Sequence, residues 1–355
     1  RLLRTRGIGP VTHRQLIARF GSAEAAIEAL PMLARRGGGT PPPVAGVAEA
    51  RAELAAIART GARPLFLDDP DYPALLAEID TAPAMLVIRG RIALAHAPCV
   101  AIVGARNASA AACRFARELA HGLAQAGATV VSGLARGIDT AAHVGSLPGT
   151  IGVIASGIDI AFPPENARLQ EEIAQRGLLI AEQPVGTEPR ARHFPYRNRI
   201  IAGLAQGTVV VEAAPRSGSL ITARLAGEAG REVMAVPGHP SDPRAQGCNG
   251  LIRDGATLIQ NAADVMELIR PIDAGAGMVG AVRAPAVPFT AAPLAEPTTR
   301  ERERVLTLLG PVPVSVDELV RQAEAAPAAV QLVLLELELA GRLDRHAGGR
   351  VSLTG

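Results

Sequence analysis

The stretch CVAIVGARNASAAACRFARELAHGLAQAGATVVS, residues 99–132, has the clearest strand–helix–strand pattern of the chain. It begins with a continuous apolar run at residues 100–103 and ends with a second one at residues 129–131, and an alanine-rich helix is predicted between them over residues 109–126. Apolar runs separated by one helix are typical of parallel strands that are buried on both faces. The stretch therefore predicts a βαβ unit with a short turn at residues 104–108.

The same alternation continues towards the carboxyl end. Further apolar strands are predicted at residues 151–154, 178–181, 208–211, 232–236 and 257–259, each followed by a helix or a Gly/Pro loop. Right-handed crossovers place the helices on both faces of such a sheet. The seven strands predict an α/β fold, an extended Rossmann-like, doubly wound and mostly parallel sheet, whose ligands bind at the carboxyl ends of the strands.

The flanking segments predict smaller domains. The amino-terminal segment is helical, and two readings stay open: SAM-like packing, or half of a helix-hairpin-helix at GIGP, residues 7–10. Near the carboxyl end, three helices and a hairpin resemble a winged helix, but its third helix, within residues 331–343, is apolar and acidic. That composition favours a protein-contact or structural role over reading duplex DNA. We divide the chain into a helical domain 1–62, the sheet domain 63–270, an Ala/Gly/Pro-rich linker 271–297 and a winged-helix-like domain 298–355.

Composition limits the classes of function. The formal net charge of +2 argues against a uniformly basic surface and leaves room for one local patch. Three cysteines without a CxxC pair predict neither a disulfide framework nor a zinc site, and we expect a cytoplasmic protein. No apolar run reaches about 18 residues, so no membrane association is expected. Aromatic residues make up only 2% of the chain, so an aromatic ring beside a charged loop is informative.

Two neighbouring segments have the composition of an anion-binding site. PRARHFPYRNR, residues 189–199, offers guanidinium groups for phosphate and aromatic rings, including Tyr196, for base stacking. RSGSLIT, residues 216–222, opens a helix whose backbone N–H groups can bind a second phosphate. The alternative is a solvated loop whose arginines neutralise acids and helix ends. The candidate residues here are Arg190, Arg192, Phe194, Arg197, Asn198, Arg199, Ser217, Gly218, Ser219 and Thr222.

The turn after the first strand adds Gly104, Arg106 and Asn107 as candidates. Its single glycine does not match the G-x-G-x-x-G of a dinucleotide site, so no cofactor is expected. Arg106 stands just before a helix amino terminus, where charge and backbone N–H groups can converge on a phosphate, although a surface ion pair is the alternative. Asp139 and His143 lie one helical turn apart, yet no further ligand is spaced to join them. We predict neither a catalytic nor a metal site.

Six motifs occur in order between residues 72 and 269: VAIVGAR, SGLARGIDTAAH, HFPYRNRIIAGL, VVVEAAPRSGSLITA, VPGHP and GCNGLIRDGA. In this order they closely resemble the family of DNA processing protein A (DprA/Smf). The resemblance implies a Rossmann-like domain that binds single-stranded DNA without sequence preference, protects it, forms homodimers and helps load the recombinase RecA during natural transformation. It also implies a SAM-like amino-terminal domain and, in many members, a carboxyl-terminal winged helix.

The resemblance extends to single positions. Arg106 matches the DNA-binding arginine of the family, and Arg192 stands where other members have a lysine. The segment from Ser217 to Thr222 matches the pocket-forming segment. The alternative class is a nucleotide-processing enzyme of the lysine-decarboxylase-like Rossmann group, which carries a glutamate just after its Gly-rich turn. Here Ala223 and Arg224 stand at that place, so we expect a DNA-binding protein that is not an enzyme.

Overall fold

The computed structural model describes residues 1–269, 296–346 and 348–354, which form two compact units. The first unit contains Arg1–Ala50 and the described part of Gly277–Gly355, and the second contains the described part of Arg51–Ala276. The two ends of the chain, which the sequence assigned to separate domains, thus share one unit. Residues 271–295 of the predicted linker lie outside the described residues.

The chain begins with a 3-10 turn, Leu2–Arg4, and three helices. These are α1 (Pro10–Phe20), α2 (Ala23–Arg36) and α3 (Val47–Arg59). Gly21 between the first two has a φ of +77°, a left-handed conformation that glycine adopts without strain. Ser22 then caps α2 by accepting a hydrogen bond from the Ala25 N–H. Helix α3 contains the boundary between the two units.

The second unit is built on a nine-stranded sheet. Its strands are β1 (Arg63–Phe66), β2 (Met85–Gly90), β3 (Cys99–Val103), β4 (Thr129–Ser132), β5 (Thr150–Ile154), β6 (Leu178–Ala181), β7 (Gly207–Val210), β8 (Glu232–Ala235) and β9 (Thr257–Leu258). Their order in the sheet is β1-β2-β6-β5-β4-β3-β7-β8-β9. Strands β3 to β9 pair in parallel, whereas β2 is antiparallel to both β1 and β6. The predicted mostly parallel, doubly wound sheet is therefore confirmed.

Helices cover both faces of this sheet. They are α4 (Ala74–Glu78), α5 (Ala110–Gln125), α6 (Ile138–Ser146), α7 (Ala167–Arg176), α8 (His193–Leu204), α9 (Gly218–Glu228), α10 (Gln246–Arg253) and α11 (Ala262–Ile269). Successive side chains of β3 alternate between the faces, as the pleat of a strand requires. Val100 and Ile102 pack in the core with α5, α6 and α11, whereas Ala101 and Val103 pack in the core with α8 and α9. Both faces of β3 are buried, which explains its continuous apolar sequence.

The strand order reverses beside β3. From β3 the chain proceeds outward through β4, β5 and β6, and it then returns to place β7 against the other edge of β3. Loops that leave β3 and β4 on one side and β7 on the other therefore open a crevice at the carboxyl ends of the strands. Crevices of this kind are the usual ligand sites of open parallel sheets.

The carboxyl-terminal part of the first unit has the predicted winged-helix architecture. It contains α12 (Thr299–Leu308), β10 (Val314–Ser315), α13 (Val316–Ala323), α14 (Pro327–Leu339), β11 (Leu343–His346) and β12 (Arg350–Leu353). The three strands form an antiparallel sheet in the order β10-β12-β11. One face of α14 packs in the core of this domain through Val330, Val333, Leu334 and Leu337. A capping box, in which Thr298 and Glu301 exchange hydrogen bonds, starts α12.

Candidate functional site

A pocket opens at the carboxyl ends of β3, β4 and β5, on the side of the sheet where α8 begins. Its lining contains three arginines, two phenylalanines and no carboxylate. The lining residues are Arg106, Gly133, Ala135, Arg136, Ala155, Ser156, Phe162, Pro163, Pro189, Phe194 and Arg197. The pocket therefore offers positive charge and aromatic surface together, at the carboxyl ends of parallel strands, where open α/β sheets bind their ligands.

Two phenylalanine rings and one exposed arginine form a wall of this pocket. The rings of Phe162 and Phe194 meet edge to face, with centroids 5.7 Å apart and planes inclined at 61°. The guanidinium of Arg106 lies 5.1 Å from the centroid of Phe194, within the range of a cation–π contact. Arg106 and Phe194 were predicted site residues, whereas Phe162 was missed. Its signal was available, because Phe162 is one of few aromatic residues and lies in the loop after β5.

Arg197 lies at the buried side of the pocket. Its Nη1 donates hydrogen bonds to the backbone carbonyls of Gly133 and Val153, and the residue is only 6% exposed. Burial lowers the pKa of its guanidinium to about 10, while the carboxyl group of Asp139 acts in the opposite direction. Arg197 therefore stays protonated at neutral pH. Its Nε is buried and has no hydrogen-bond partner among the described residues.

The second half of the basic segment 189–199 is helical. Helix α8 begins at His193, so Arg197, Asn198 and Arg199 lie on a helix. The His193 side chain supports this start because its Nδ1 accepts a hydrogen bond from the Arg190 N–H at 3.3 Å. Proline is also tolerated in a first helical turn, and Pro195 stands there. No side chain of the usual type caps α8 at Arg192, so the local sequence carries no signal for a helix start at this place.

The arginines of this segment divide into two kinds. Arg190 and Arg192 are exposed in the turn that precedes α8. Arg199 is buried, and its Nη2 lies 2.6 Å from Oε1 of Glu182. Arg199 therefore neutralises an acid and is not free to bind a ligand through this nitrogen. Arg190 and Arg192 have side chains that can reach a ligand outside the pocket.

The serine side chains of the turn that precedes α9 form hydrogen bonds within the turn itself. The Ser217 hydroxyl caps α9 by accepting a hydrogen bond from the Ser219 N–H, and the two hydroxyls lie 2.7 Å apart. Ser219 and Thr222 are 8% and 2% exposed, so they support the turn from inside, whereas Gly218 is exposed. The Asn198 amide approaches the Gly218 carbonyl at 3.4 Å and so links α8 to this turn.

The loop that carries Arg106 and Asn107 is held by Glu212, which was not among the predicted site residues. This buried residue follows β7, and its carboxylate accepts hydrogen bonds from the Ser109 N–H at 3.0 Å and the Ser109 hydroxyl at 2.7 Å. Its backbone carbonyl accepts from the Ala105 N–H at 2.7 Å. The loops after β3 and β7 are therefore fixed to each other on both sides of Arg106.

Two glycines allow this loop to pack closely against the start of α6. A Cβ atom at Gly104 would lie 2.6 Å from Cγ1 of Ile138. At Gly137, which has a φ of +73°, a Cβ atom would lie 2.3 Å from the Ala105 carbonyl oxygen and 2.7 Å from that of Arg106. A side chain at Gly137 would have to displace the Arg106 loop, and one at Gly104 would have to displace Ile138 at the start of α6.

Asp139 and His143 are buried, and both accept hydrogen bonds from the backbone of the loop that follows β4. Oδ2 of Asp139 accepts hydrogen bonds from the N–H groups of Gly133 and Ala135 at 3.1 and 3.3 Å. Burial raises the pKa of this carboxyl group, and the charge of Arg197 opposes that rise. His143 Nε2 accepts from the Leu134 N–H at 3.3 Å, so the ring proton lies on Nδ1 and points to the Thr150 hydroxyl 2.8 Å away. Burial lowers the pKa of His143 to about 3 and keeps the ring neutral.

Neither a metal centre nor a membrane span is evident in the described ranges. Within residues 1–269, 296–346 and 348–354, no three His, Cys, Asp or Glu side chains come together as ligands. No helix in the same ranges is long and apolar enough to cross a bilayer.

Comparison with known families agrees with this architecture. The family model described as DNA recombination-mediator protein A matches residues 63–270. Models described as a DprA-like N-terminal HHH domain and a DprA winged helix domain match residues 1–56 and 289–349. Protein Smf of Synechocystis is 37% identical over 316 residues, which cover 81% of this chain and 79% of that protein. DNA processing protein DprA of Streptococcus pneumoniae is 45% identical over 204 residues, 57% of this chain and 72% of that protein.

Two solved structures are similar as well. The structure of DNA processing protein A from Streptococcus pneumoniae superposes with a TM-score of 0.60 at 36% identity, covering 72% of this chain and 86% of that one. DNA processing protein A from Helicobacter pylori, a protein described for its unique single-stranded DNA binding mode, superposes with a TM-score of 0.53 at 29% identity. That match covers 58% of this chain and 94% of the other.

His143 makes the stability of the second unit depend on pH. The unfolded ring binds a proton below about pH 6.5 and the folded ring only below about pH 3, so stability is lost as the pH falls through this interval. The free energy of unfolding should decrease by up to about 1.4 kcal/mol per pH unit from this group. Denaturant unfolding of wild type and His143→Gln over the interval measures the difference. The exposed His121→Gln serves as the control and should keep the wild-type slope; a His143→Gln slope equal to wild type would contradict the assignment.

Proposed function

The chain belongs to the DNA recombination-mediator protein A family, and from that premise we propose that it binds single-stranded DNA without sequence preference. A relative with the same fold, from Helicobacter pylori, is described by its single-stranded DNA binding mode. The proposal concerns the pocket at the carboxyl ends of β3, β4 and β5. We assign the protein to DNA binding and not to catalysis.

The observation that carries the proposal is the grouping of Arg106, Phe194 and Arg197 in one pocket without a carboxylate. A single strand presents phosphates and unpaired bases at regular intervals. Guanidinium groups bind phosphate through charge-assisted hydrogen bonds, and an aromatic ring stacks on any base because every base has a π-face. Such contacts give affinity without a preference for sequence.

We propose a path for the strand along the crevice. Arg106 lines the pocket, and the exposed Asn107 follows it in the loop that Gly104 begins. Arg190 and Arg192 are exposed in the turn before α8. The exposed Gly218 N–H at the start of α9 is the third phosphate contact, supported from below by Ser217, Ser219 and Thr222. The Asn198 amide donates a hydrogen bond to the Gly218 carbonyl and so holds α8 beside the turn that precedes α9. In this proposal Arg197 binds from the pocket interior and Arg199 acts only as a support.

We further propose a finer role, the protection of incoming DNA and assistance in loading the recombinase RecA during natural transformation, with a cytoplasmic homodimer as the working form. Family membership supports this role. The pocket supports it as well, because a protein that hands a strand to a recombinase must bind that strand at many sequences. Contacts to phosphate and to ring faces meet that requirement.

The rival function is nucleotide processing by an enzyme of the lysine-decarboxylase-like group. Such a reaction needs a general acid or base at the pocket, and the nearby Asp139 and His143 are occupied by buried structural hydrogen bonds. Incubation with mononucleotides, compared with buffer alone, separates the two functions. Release of base or phosphate above the buffer rate would favour the enzyme and contradict our proposal.

Arg106→Ala and Arg192→Ala should each weaken the binding of oligothymidine and of mixed-sequence strands by about tenfold or more, because one charge-assisted hydrogen bond contributes about 1.5–3 kcal/mol. Fluorescence anisotropy at about 50 and 200 mM salt measures this, and the salt dependence should become shallower in each variant as one phosphate contact is lost. Arg168→Ala removes a side chain that is 92% exposed on α7 and serves as the control of equal charge. Unchanged affinity in both pocket variants would overturn the assignment.

Gly137→Ala should also weaken single-strand binding, although residue 137 is not one of the proposed DNA contacts. Its Cβ would push the Ala105 and Arg106 carbonyls away and displace the Arg106 guanidinium. Gly127→Ala is the matched control, since Gly127 also has a positive φ, +85°, but has open space around it. A loss of affinity restricted to Gly137→Ala, measured where both variants are fully folded, isolates the displacement of the loop. Equal affinities at equal thermal stability would show that the loop position is unimportant.

A further inference from the structure

Helix α14, the third helix of the winged-helix domain, is buried on nearly all sides. Its sequence, PAAVQLVLLELEL, has no continuous polar face, and a helix that is apolar all round requires cover on more than one side. The core of its own domain covers one side only. The buried residues of α14 are Ala329, Val330, Leu332, Val333, Leu334, Leu335, Glu336, Leu337 and Leu339.

The opposite side of α14 packs on the amino-terminal helices. Leu332, Leu335 and Leu339 belong to a core cluster whose other members come from the first 34 residues of the chain. That cluster includes Leu16 of α1 and Leu30 of α2, which are both fully buried. The apolar stripe of α14 is therefore covered by helices that precede it by about 300 residues.

The backbones approach closely at the end of α2. A Cβ atom at Gly37 would lie 2.0 Å from the carbonyl oxygen of Glu336, and one at Gly39 would lie 2.4 Å from that of Ala340. Neither glycine has a positive φ, so close approach and not backbone conformation restricts these positions. Contact of this kind is built for one particular neighbour.

Polar groups fix the same contact. The Thr12 hydroxyl donates to Glu338 Oε1 at 2.7 Å, and the Gln15 amide donates to Gln331 Oε1 at 3.0 Å. Glu336 is 1% exposed, and both of its carboxylate oxygens accept hydrogen bonds from Arg302 at 3.0 Å. The polar side chains of α14 that a groove-reading helix would present to bases are thus already paired within the protein.

We propose that the outer face of α14 is the docking surface for the amino-terminal helices α1 and α2 of the same chain, and that this winged helix does not read duplex DNA through its third helix. A reading helix needs an accessible face with side chains that donate to base edges and phosphates. This face is apolar, carries Glu336 and Glu338, and is covered. The inference concerns the first unit and stands apart from the single-strand site proposed above.

A crosslink tests whether docking and duplex binding exclude each other. Gln15→Cys with Gln331→Cys replaces a hydrogen-bonded pair by cysteines in the full chain. The background is Cys113→Ser, because Cys99 and Cys248 are buried. We expect a crosslink with a short, reducible bis-maleimide, because two hydrogen-bonded glutamine side chains can hold their Cα atoms farther apart than a disulfide allows. The affinity for duplex DNA should be the same in the crosslinked and reduced forms. Failure to crosslink would overturn the docking, and duplex affinity that appears or rises about tenfold on reduction would overturn the conclusion about α14.

A wedge tests the docking without added cysteines. Gly37→Ala places a methyl group against the Glu336 carbonyl, and it should accelerate amide hydrogen exchange in α14 and α2 about tenfold or more, since their mutual cover is loosened. Gly46→Ala is the control, because its Cβ would meet only the Glu49 side chain at 4.0 Å. Exchange in β3 reports that the second unit stays folded. Equal protection of α14 in wild type and both variants would overturn the proposal.

Discussion

The candidate site depends on one buried charge, the guanidinium of Arg197. A cation removed from water must be compensated by hydrogen bonds or opposite charge. Arg197 obtains both, from the carbonyls of Gly133 and Val153 and from the field of Asp139. Because those carbonyls belong to the ends of β4 and β5, satisfying the charge fixes α8 against the sheet. The position of Phe194, three residues earlier on the same helix, follows from that anchor.

Around this anchor, buried polar groups position the site and exposed ones are left to bind. The Glu212 carboxylate accepts two hydrogen bonds from Ser109 and so fixes the loop in which Arg106 is exposed. Gly137 gives that loop room by having no side chain at the point of contact. The reversal of strand order beside β3 supplies the crevice into which these parts converge. Likewise, the buried Arg199 is paired with Glu182 and supports the structure, whereas the exposed Arg192 is available to a ligand.

The first unit shows how far apart in sequence two halves of a core can lie. Helix α14 belongs to the winged-helix core through Val333 and Leu337 and to the amino-terminal core through Leu335 and Leu339. The apolar and acidic composition of α14 indicates that this helix does not read DNA. Composition does not show which residues cover its second face. Only the fold identifies the amino-terminal helices as that cover, because contacts over about 300 residues leave no local pattern in the chain.

The sequence alone was enough to predict the seven parallel strands, the winged helix and the family, because burial periodicity and long ordered motifs are local features of consecutive residues. It also selected Arg106 and Phe194. It could not separate exposed arginines from buried ones: Arg192, Arg197 and Arg199 look alike in a basic segment, yet helix geometry turns the last two inwards. The roles of Glu212 and Phe162 were likewise decided by the tertiary structure, since both reach the site from other strands, and packing between distant segments alone brings them there.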